Sequence, residues 1–260
     1  MKLSNRLALI TGGGRGIGRA IALAFASEGA QVAVAARTLA QVETVAEEIE
    51  KTFNLKSLPL VCDVSDSANV ERMFSDVRES FGRDLDIMVN NAGLAESATI
   101  AKTTDELWHK HLAINLSGTF YCSRAALPSM LTNGWGRVIN IASIAGKTGA
   151  PYISAYSASK HGVMGLTRSL AMEVGPGGVT VNAICPGYVD TDMVAQGIER
   201  IKARTGRSAE EAVDYLRKMS PQNRLVTAEE VAALAVLLAS EDGRGINGQG
   251  LNIDGGTVLW

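Results

Sequence analysis

The chain has 260 residues, of which 46% are hydrophobic and 20% charged, a composition typical of an ordinary soluble globular protein. Its formal net charge of −2 gives no reason to expect a nucleic acid or an anionic membrane as partner. Its apolar runs are far shorter than the roughly 18 residues of a membrane span, and the strand-like segment near residue 7 leaves no room for a signal peptide. Three separate cysteines, Cys62, Cys122 and Cys185, indicate neither a disulfide framework nor a metal cluster. The sequence therefore predicts a cytoplasmic protein with no metal site.

Short apolar segments alternate with longer helical patterns along the chain, which is typical of βαβ units and a parallel sheet. The apolar segments are rich in Val, Ile and Leu, as in strands covered by helices on both faces. We predict strands at residues 7–11, 31–35, 58–62, 87–90, 137–141, 180–184 and 250–253. We predict helices at 17–28, 39–53, 67–81, 104–132, 155–174 and 228–240. The predicted fold class is therefore α/β, with one doubly wound domain over residues 1–260 and a seven-stranded parallel sheet.

Capping boxes mark the start of three helices, where Ser or Thr is followed three residues later by Glu. They pair Thr103 with Glu106, Ser208 with Glu211, and Thr227 with Glu230. The segment 190–224 is helical and amphipathic but contributes no strand. We predict that this segment is a helical substrate lid, because long insertions at the carboxyl edge of a sheet often carry function. The alternative is a packed pair of helices without such a role.

A glycine-rich loop follows the first predicted strand and opens the first predicted helix. It reads Thr11-Gly12-Gly13-Gly14-Arg15-Gly16-Ile17-Gly18. Glycines at such a junction let the backbone turn tightly and approach a pyrophosphate, which then lies at the helix N-terminus. In this position the loop predicts a dinucleotide site.

The residues after the second predicted strand indicate which nucleotide binds. NAD sites usually carry an acidic residue about 20 residues beyond the glycine loop, which binds the ribose 2′-hydroxyl. Ala36 stands there instead, followed by Arg37, and Arg15 lies inside the loop. Two guanidinium groups suit a 2′-phosphate, so we predict NADP(H) as the cofactor. The alternative is a pair of solvated surface arginines.

Tyr156 and Lys160 lie four residues apart in a predicted helix, thirteen residues after Ser143. Residues at this spacing share one helix face, so the Lys160 ammonium is expected beside the Tyr156 phenol. A neighbouring positive charge lowers the pKa of a tyrosine toward neutrality. A tyrosine of this kind can exchange a proton at physiological pH, as general acid–base catalysis requires.

With the glycine loop, Asn90-Asn91-Ala92-Gly93, Ser143 and the Tyr156–Lys160 pair in this order, the chain resembles the short-chain dehydrogenase/reductase family. The resemblance runs from about residue 5 to the last strand and implies a Rossmann-type nucleotide-binding fold. It places further cofactor contacts on the Asp63–Val64 pair, on Asn91, Ala92 and Gly93, and on the segment 186–191. The cofactor-binding set expected from the loop, the arginines and the resemblance is Gly12, Arg15, Gly16, Ile17, Gly18, Arg37, Asp63, Val64, Asn91, Ala92, Gly93, Tyr156, Lys160, Pro186, Gly187, Val189 and Thr191.

The resemblance also implies a catalytic set of Asn115, Ser143, Tyr156 and Lys160. Ser143 would hydrogen-bond the substrate carbonyl oxygen, and Tyr156 would supply its proton. Lys160 would lower the pKa of Tyr156 and hold the nicotinamide ribose, and Asn115 would position a water that reprotonates Tyr156. The alternatives are a core amide at Asn115 and a strand-end cap at Ser143.

Three histidines and one cysteine are interpreted as structural. His109 and His111 are two residues apart on a predicted helix and therefore face different ways. His161 follows Lys160 and is expected to point away from the site, and Cys185 is expected to be a small core residue.

The substrate is the least determined feature of the sequence. The closest likeness within the family is to bacterial 3-oxoacyl and polyketide ketoreductases, although Gly134 and Gly177 stand where carrier-protein reductases have basic residues. The lid resembles that of bacterial 3-hydroxybutyrate dehydrogenases, yet the carboxylate-binding positions there correspond to Ala95, Ala145 and Ile153. A small free acid would lack a charge partner among these side chains. An apolar ketone, or an acyl thioester whose CoA phosphates meet the basic residues Arg200, Lys202, Arg204 or Arg207, fits better; a solvated helix face is the alternative interpretation of those residues.

The sequence therefore predicts an NADP(H)-dependent oxidoreductase that interconverts a ketone and a secondary alcohol. One alternative is an NAD-linked secondary-alcohol or 3-hydroxyacyl dehydrogenase that works oxidatively. Another is a non-catalytic NADP(H)-binding sensor. The resemblance implies a homotetramer, assembled through the helices of 104–132 and 155–174 and the C-terminal strand, with the apolar residues 258–260 at the interface.

Overall fold

The computed structural model describes residues 1–206 and 208–260, apart from the side chains of residues 193, 196, 200, 201 and 203–205. These residues form a single sheet of seven parallel strands. The strand order is β3-β2-β1-β4-β5-β6-β7. The strands are β1 (Leu7–Thr11), β2 (Gln31–Ala36), β3 (Ser57–Val61), β4 (Ile87–Asn90), β5 (Gly136–Ile141), β6 (Val179–Pro186) and β7 (Gly250–Ile253). The chain leaves β3 at one edge and resumes at β4 beside β1, so the order reverses between β1 and β4. Ligands of doubly wound folds bind at the carboxyl ends of strands at such a point.

The helices lie in sequence between the strands and after them. They are α1 (Gly16–Ser27), α2 (Leu39–Phe53), α3 (Ser67–Phe81), α4 (Asp105–His111), α5 (Gly118–Thr132), α6 (Ser154–Val174), α7 (Asp192–Thr205), α8 (Ala209–Lys218) and α9 (Ala228–Ala239). The α/β prediction is confirmed, and the predicted strands and helices agree with these bounds to within two residues except at 104–132.

In the described part of the chain, two large hydrophobic clusters cover the two faces of the sheet, and a smaller third one lies between α6 and β6. Ala8 and Ile10 of β1 pack on the side of α1, α2 and α9, whereas Leu7 and Leu9 pack on the side of α3, α5 and α6. Alternate residues of a strand point to opposite faces, so one fully apolar strand serves both cores. The absence of polar alternation in the sequence follows from this double burial.

The predicted helix over 104–132 is a helical run of three parts. A π-helical turn, Leu112–Ser117, separates α4 from α5. Such turns insert one extra residue into the helical repeat and are frequent at functional sites. The segment Leu112–Ser117 contains neither proline nor glycine, so no signal in the sequence marks the π-helical turn.

The capping box predicted at Thr103 is wrong by one residue. Thr104 is the N-cap of α4, and its side chain accepts a hydrogen bond from the Leu107 amide at 3.2 Å. Thr103 instead donates its hydroxyl to the Thr99 carbonyl at 3.0 Å. Asp105 and Glu106 lie in the first turn of α4, where the helix dipole favours acidic side chains. The capping boxes at Ser208 and Thr227 are confirmed.

The predicted helical segment after β6 contains α7 and α8, and Val189 and Val226 form a bridge where the segment leaves and rejoins the domain. Lys202 forms an ion pair with Glu199 at 2.8 Å, as expected of a solvated helix face. The predicted contacts of Arg200, Arg204 and Arg207 lie outside the described residues. Over the described part of the chain, none of the helices combines the length and the apolar character needed to cross a membrane.

Candidate active site

The glycine-rich loop runs from β1 into α1 at the point where the strand order reverses. Gly12 and Gly16 have φ angles of +62° and +53°, a backbone region that side chains with a Cβ rarely adopt. A Cβ on Gly18 would lie 2.2 Å from the Gly12 carbonyl oxygen. The loop therefore requires glycine for its turn and for its packing against α1, which leaves its backbone open to a ligand at the helix N-terminus.

Asn91, at the end of β4, holds this loop in place. Its side-chain amide donates to the carbonyls of Thr11 and Gly12 at 2.9 and 3.1 Å. In return the Thr11 hydroxyl accepts hydrogen bonds from the amides of Asn91 and Ala92, both at 3.1 Å. Four hydrogen bonds thus join the carboxyl ends of β1 and β4 and preorganise the floor of the cleft between them.

A cleft opens above the glycine loop and contains most of the predicted cofactor residues. Eleven of them line it: Gly12, Arg15, Gly16, Ile17, Arg37, Asp63, Val64, Asn91, Ala92, Gly93 and Thr191. The remaining six, Gly18, Tyr156, Lys160, Pro186, Gly187 and Val189, are not among the lining residues in the described part of the chain. Gly18 lies beneath the loop, and Pro186 ends β6.

Both arginines that were predicted to bind a 2′-phosphate, Arg15 and Arg37, line the cleft. Arg15 and Arg37 lie there with Ala36 and Thr38, and both arginines are exposed. Arg15 forms an ion pair with Asp192 at 3.2 Å. Asp192 is the first residue of α7, so this pair connects the glycine loop to the segment predicted to be a lid.

Two other predicted cofactor residues have local partners that fix their position. The Asp63 carboxylate accepts hydrogen bonds from the Ser65 amide and hydroxyl at 3.0 and 2.7 Å. Val64 fills the space left by Gly118 at the start of α5, where a Cβ would lie 2.7 Å from a Val64 methyl carbon. These contacts place Asp63 and Val64 on the wall of the cleft.

Ser143 and Tyr156 meet at the carboxyl end of β5. Ser143 caps a short 3₁₀ turn, and its hydroxyl accepts the Ala145 amide at 3.1 Å, so the cap interpretation describes part of its role. Burial raises the pKa of Tyr156, and a hydrogen bond with the Ser143 side chain opposes that rise. A serine hydroxyl and a tyrosine phenol are thus directed at one another in a partly closed site.

Lys160 lies one helical turn from Tyr156, as predicted, with its Nζ atom 5.8 Å from the Tyr156 ring centroid. The Nζ atom donates to the Ile141 carbonyl at 2.7 Å, and burial lowers the pKa of Lys160 to about 8. The prediction that Lys160 brings the pKa of Tyr156 down is wrong for these side chains, because burial raises that pKa and the opposing hydrogen bond comes from Ser143. The Lys160 ammonium is bonded to a backbone oxygen and contributes no resolved effect to the pKa of the phenol.

Asn115 lies in the π-helical turn and ties three parts of the site together. Its Oδ1 atom accepts the Leu94 amide at 2.9 Å, and its Nδ2 atom donates to the Leu94 carbonyl and to the Ser159 hydroxyl, each at 3.0 Å. Both amide hydrogens are therefore used. A water held by Asn115 would have to donate to Oδ1 or to the main-chain oxygen, which already accepts the Thr119 hydroxyl at 2.8 Å.

The predictions for the remaining histidines and Cys185 are consistent with the structure. His109 and His161 are exposed, and the His161 ring bonds the Ser157 carbonyl at 2.9 Å. Cys185 is fully buried against Met164. His111, by contrast, is completely buried with its ring 6.3 Å from that of Tyr156, a proximity that helix spacing alone did not indicate.

Sequence reasoning missed several residues of the cleft. They are Gly14, Ala36, Thr38, Gln41, Cys62, Leu94, Ile114 and Asp192. Most of them adjoin a motif that was identified, so the signal available was position next to a strand end. Asp192 also follows a predicted residue, Thr191, but its contact with Arg15, 177 residues away in the sequence, had no signal.

Comparisons with known proteins agree on the family. The model of a family described as enoyl-(acyl carrier protein) reductase matches residues 12–258. The D-beta-hydroxybutyrate dehydrogenase of Rhizobium meliloti (strain 1021) is 40% identical over 254 residues, covering 96% of this chain and 98% of that protein. The ketoacyl reductase of the monensin polyketide synthase of Streptomyces virginiae is 41% identical over 256 residues, with 97% of each chain covered.

A solved structure shows the same architecture. A variant of actinorhodin polyketide ketoreductase, determined with NADPH, superposes with a TM-score of 0.94 at 36% identity and covers 100% of this chain and 99% of its own. The fold and the site define a nucleotide-binding α/β oxidoreductase. The chain belongs to the short-chain dehydrogenase/reductase family.

Proposed function

We propose that the protein is an NADP(H)-dependent ketone reductase that uses Tyr156 as its general acid and base. The observation that carries this proposal is the placement of Tyr156 beside Ser143, with the Nζ atom of buried Lys160 5.8 Å from the Tyr156 ring centroid and bonded to the Ile141 carbonyl. These side chains lie at the carboxyl ends of the strands, the edge of the sheet on which the nucleotide cleft opens.

The cleft is chemically suited to NADP(H). The glycine loop presents backbone at a helix N-terminus, where a pyrophosphate is favoured. Arg15 and Arg37 lie at one end of the cleft and would hold a 2′-phosphate, which arginine binds in a forked geometry. Thr191 and the Asp63–Val64 pair lie on other walls of the same cleft. When bound, the cofactor supplies the hydride of the reaction.

The four predicted catalytic residues have distinct tasks in this proposal. Ser143 and Tyr156 donate hydrogen bonds to the carbonyl oxygen of the substrate, and the Tyr156 hydroxyl passes its proton to that oxygen as the alcohol forms. Burial keeps the Tyr156 phenol protonated at neutral pH, which suits a general acid. Lys160 places a positive charge behind the site, and Asn115 fixes α6 to the chain segment after β4.

The substrate we infer is an apolar ketone or a 3-oxoacyl thioester. Ala95, Ala145 and Ile153 provide no charge for a small free acid, and burying an unpaired carboxylate is costly. The relatives include the ketoacyl reductase named above. Helices α7 and α8 would serve as the lid over this substrate.

The test compares the wild-type protein with Tyr156→Phe on a cyclic ketone, a 2-alkanone and a 3-oxoacyl thioester. Consumption of NADPH by the wild type, with kcat lowered at least about a hundredfold in Tyr156→Phe, is expected, because general acid catalysis contributes about that much. NADPH binding, followed by fluorescence titration, should be unchanged. Tyr121→Phe is the matched control, since Tyr121 packs in the core around α5. Full activity in Tyr156→Phe would refute the assignment, and NADPH binding without any reduction by the wild type would favour a sensor.

A second candidate is an NAD-linked dehydrogenase that oxidises a secondary alcohol or 3-hydroxyacyl compound, favoured by the hydroxybutyrate dehydrogenase relative. Titrations of NADPH and NADH with the wild type and with Arg37→Ala separate the two. A preference for NADPH that is lost in Arg37→Ala supports the reductase. Equal binding, or a preference for NADH, supports the dehydrogenase.

A further inference from the structure

His111, the last residue of α4, is fully buried next to the proposed general acid. Its Nδ1 atom lies 2.8 Å from the Leu107 carbonyl oxygen, and its Nε2 atom lies 3.2 Å from the Glu96 amide nitrogen. The ring stands edge-on to that of Tyr156, with the centroids 6.3 Å apart and the planes at 74°.

The two backbone partners determine which nitrogen of His111 carries the proton. A carbonyl oxygen can only accept, so Nδ1 must be the donor. A backbone amide can only donate, so Nε2 must be the acceptor. These two contacts assign the ring proton to Nδ1 and leave Nε2 as the acceptor. Because both nitrogens are engaged with backbone, the imidazole has no free position from which to exchange a proton with a substrate.

The partner of Nε2 belongs to a segment that is fastened at three alternate residues. We call residues 94–98, which follow β4, the substrate-side loop. Leu94 is held by two hydrogen bonds to Asn115, Glu96 by its amide to His111, and Ala98 by its amide to the Tyr152 carbonyl at 2.9 Å. The outer two attachments reach the π-helical turn and the segment before α6. The central one is the hydrogen bond from the Glu96 amide to the side chain of His111.

The attachment at Tyr152 has a conformational cost of its own. Tyr152 has a φ angle of +70°, which is unfavourable for a bulky residue. The loop is therefore joined on one side to a strained backbone position, and His111 accepts the amide of its central residue. The Glu96 carboxylate also pairs with Lys110 at 2.6 Å on the outer surface, but both side chains are substantially exposed, so this ion pair adds little.

We propose that His111 is a positioning residue of the reductase, which holds the substrate-side loop against α4 and supports the ring of Tyr156 so that the ketone is bound in register with the proton donor. The proposal rests on the proposed function for its kinetic consequence only. It makes no use of His111 as an acid or base.

Two substitutions separate the hydrogen bonds of the ring. In His111→Gln the side-chain amide reaches the position of Nε2, so its oxygen can accept the Glu96 amide. In His111→Asn the shorter side chain can still bond the Leu107 carbonyl but does not reach Glu96. His111→Leu removes both interactions at similar volume, and His109→Leu on the exposed side of the same helix is the matched control.

The first measurement is amide hydrogen exchange at Glu96 and Ala98, which needs no substrate. Exchange at Glu96 should become at least about tenfold faster in His111→Asn, because its amide loses its acceptor. His111→Gln and His109→Leu should exchange as the wild type does. Equal exchange in all variants would overturn the proposal, whatever the reaction of the enzyme. Should His111→Leu fail to fold, the Asn and Gln variants still decide the matter.

The second measurement is the steady-state reduction of the best ketone of the panel. The KM for the ketone should rise about three- to tenfold in His111→Asn, the loss expected of one hydrogen bond, with the Kd of NADPH unchanged and recovery in His111→Gln. A uniform loss of kcat, ketone binding and NADPH binding that His111→Gln does not restore would show a purely structural role. If the wild type reduces no ketone, the proposed function fails while the exchange result still tests His111.

Discussion

The Nζ atom of Lys160 donates a hydrogen bond to the carbonyl oxygen of Ile141, the last residue of β5, at 2.7 Å. This contact fixes α6 to the end of the strand that leads to Ser143, so Lys160 aligns the two elements that carry the proposed acid and its serine partner. It also keeps an ammonium group in the interior, where burial lowers its pKa to about 8. A charge held in this way has a measurable effect on stability.

Replacement of Lys160 by Met should stabilise the protein at neutral pH while abolishing reductase activity. Burial places the pKa of Lys160 near 8, below its ordinary value of 10.5. The unfolded chain therefore binds more protons between these pH values, and the free energy of unfolding of the wild type rises with pH across that interval. Lys160→Met removes the cost of the buried charge but also loses one hydrogen bond. The free energy of unfolding at pH 7 should therefore rise by about 2 kcal/mol.

Urea unfolding of both proteins at pH 7 and pH 9.5 checks this. The difference in stability between Lys160→Met and the wild type should be largest at pH 7 and shrink at pH 9.5. Cys62, whose pKa burial raises to about 11, destabilises both proteins above pH 9 and cancels in the difference. A variant less stable than the wild type at pH 7 would contradict the prediction.

Asp192→Asn should tighten NADPH binding. In the structure Asp192 pairs with Arg15 at 3.2 Å, so the carboxylate competes with a 2′-phosphate for the same guanidinium. Both side chains are more than half exposed, and such pairs contribute little. The expected decrease in the Kd of NADPH is therefore only about two- to fivefold, with the Kd of NADH unchanged.

The double variant provides the control. When Arg15→Ala is already present, Asp192→Asn should have no further effect on the Kd of NADPH. An equal gain with and without Arg15 would mean that Asp192 acts through its charge at long range and not through this ion pair.

The fold and much of the site could be predicted from the sequence because the signals are local. The apolar segment 31–35 predicts a buried strand, observed at Gln31–Ala36, and the glycine loop requires its glycines for the turn at Gly12 and Gly16. The order of Ser143, Tyr156 and Lys160 along the chain identifies the resemblance that implies their roles. Each of these inferences needs only neighbours in sequence.

The features that were missed depend on contacts between distant parts of the chain. β6 continues past Ile184 to Pro186 because β7 pairs with it, Cys185 with Asn252 and Pro186 with Ile253. The pKa of Tyr156 depends on how deeply the fold buries it. The ring of His111 accepts a hydrogen bond from the amide of Glu96, fifteen residues earlier in the sequence. Helical spacing predicts on which face of a helix Tyr156 or His111 lies, but not which groups of the rest of the fold it contacts.

Gly18→Ala should abolish cofactor binding and lower stability, although alanine favours helices. A Cβ at Gly18 would lie 2.2 Å from the Gly12 carbonyl oxygen and 2.5 Å from the Asn91 side-chain nitrogen, so the glycine loop has to move. Overpacking of this kind costs about 1–3 kcal/mol. Thermal unfolding and NADPH titration measure the two effects.

Gly197→Ala, in α7, is the matched control for the helical substitution. A Cβ at Gly197 has nothing within 4 Å, so helix propensity alone should stabilise the protein by up to about 1 kcal/mol. Cofactor binding retained by Gly18→Ala would show that the loop can shift without loss of its function.

The protein should be a homotetramer in solution. Large apolar side chains are exposed on the two long helical runs and at the C-terminus: Trp108 (38%), Phe120 (40%), Met172 (84%), Leu259 (84%) and Trp260 (74%). Val258 is already buried within its own chain, at 5% exposure, so the predicted apolar end contributes through the last two residues only. Exposed apolar surface of this extent is typical of an interface.

Light scattering coupled to size-exclusion chromatography measures the assembly directly. The wild type should have about four times the mass of one 27.4 kDa chain. Phe120→Asp should yield smaller species, because it would bury an unpaired charge in the interface. The control is Val61→Asp, at an exposed valine (58%) at the end of the edge strand β3. This substitution should leave the mass unchanged. A monomeric wild type would contradict the prediction and would leave Trp108, Phe120 and Met172 exposed to solvent in the working enzyme.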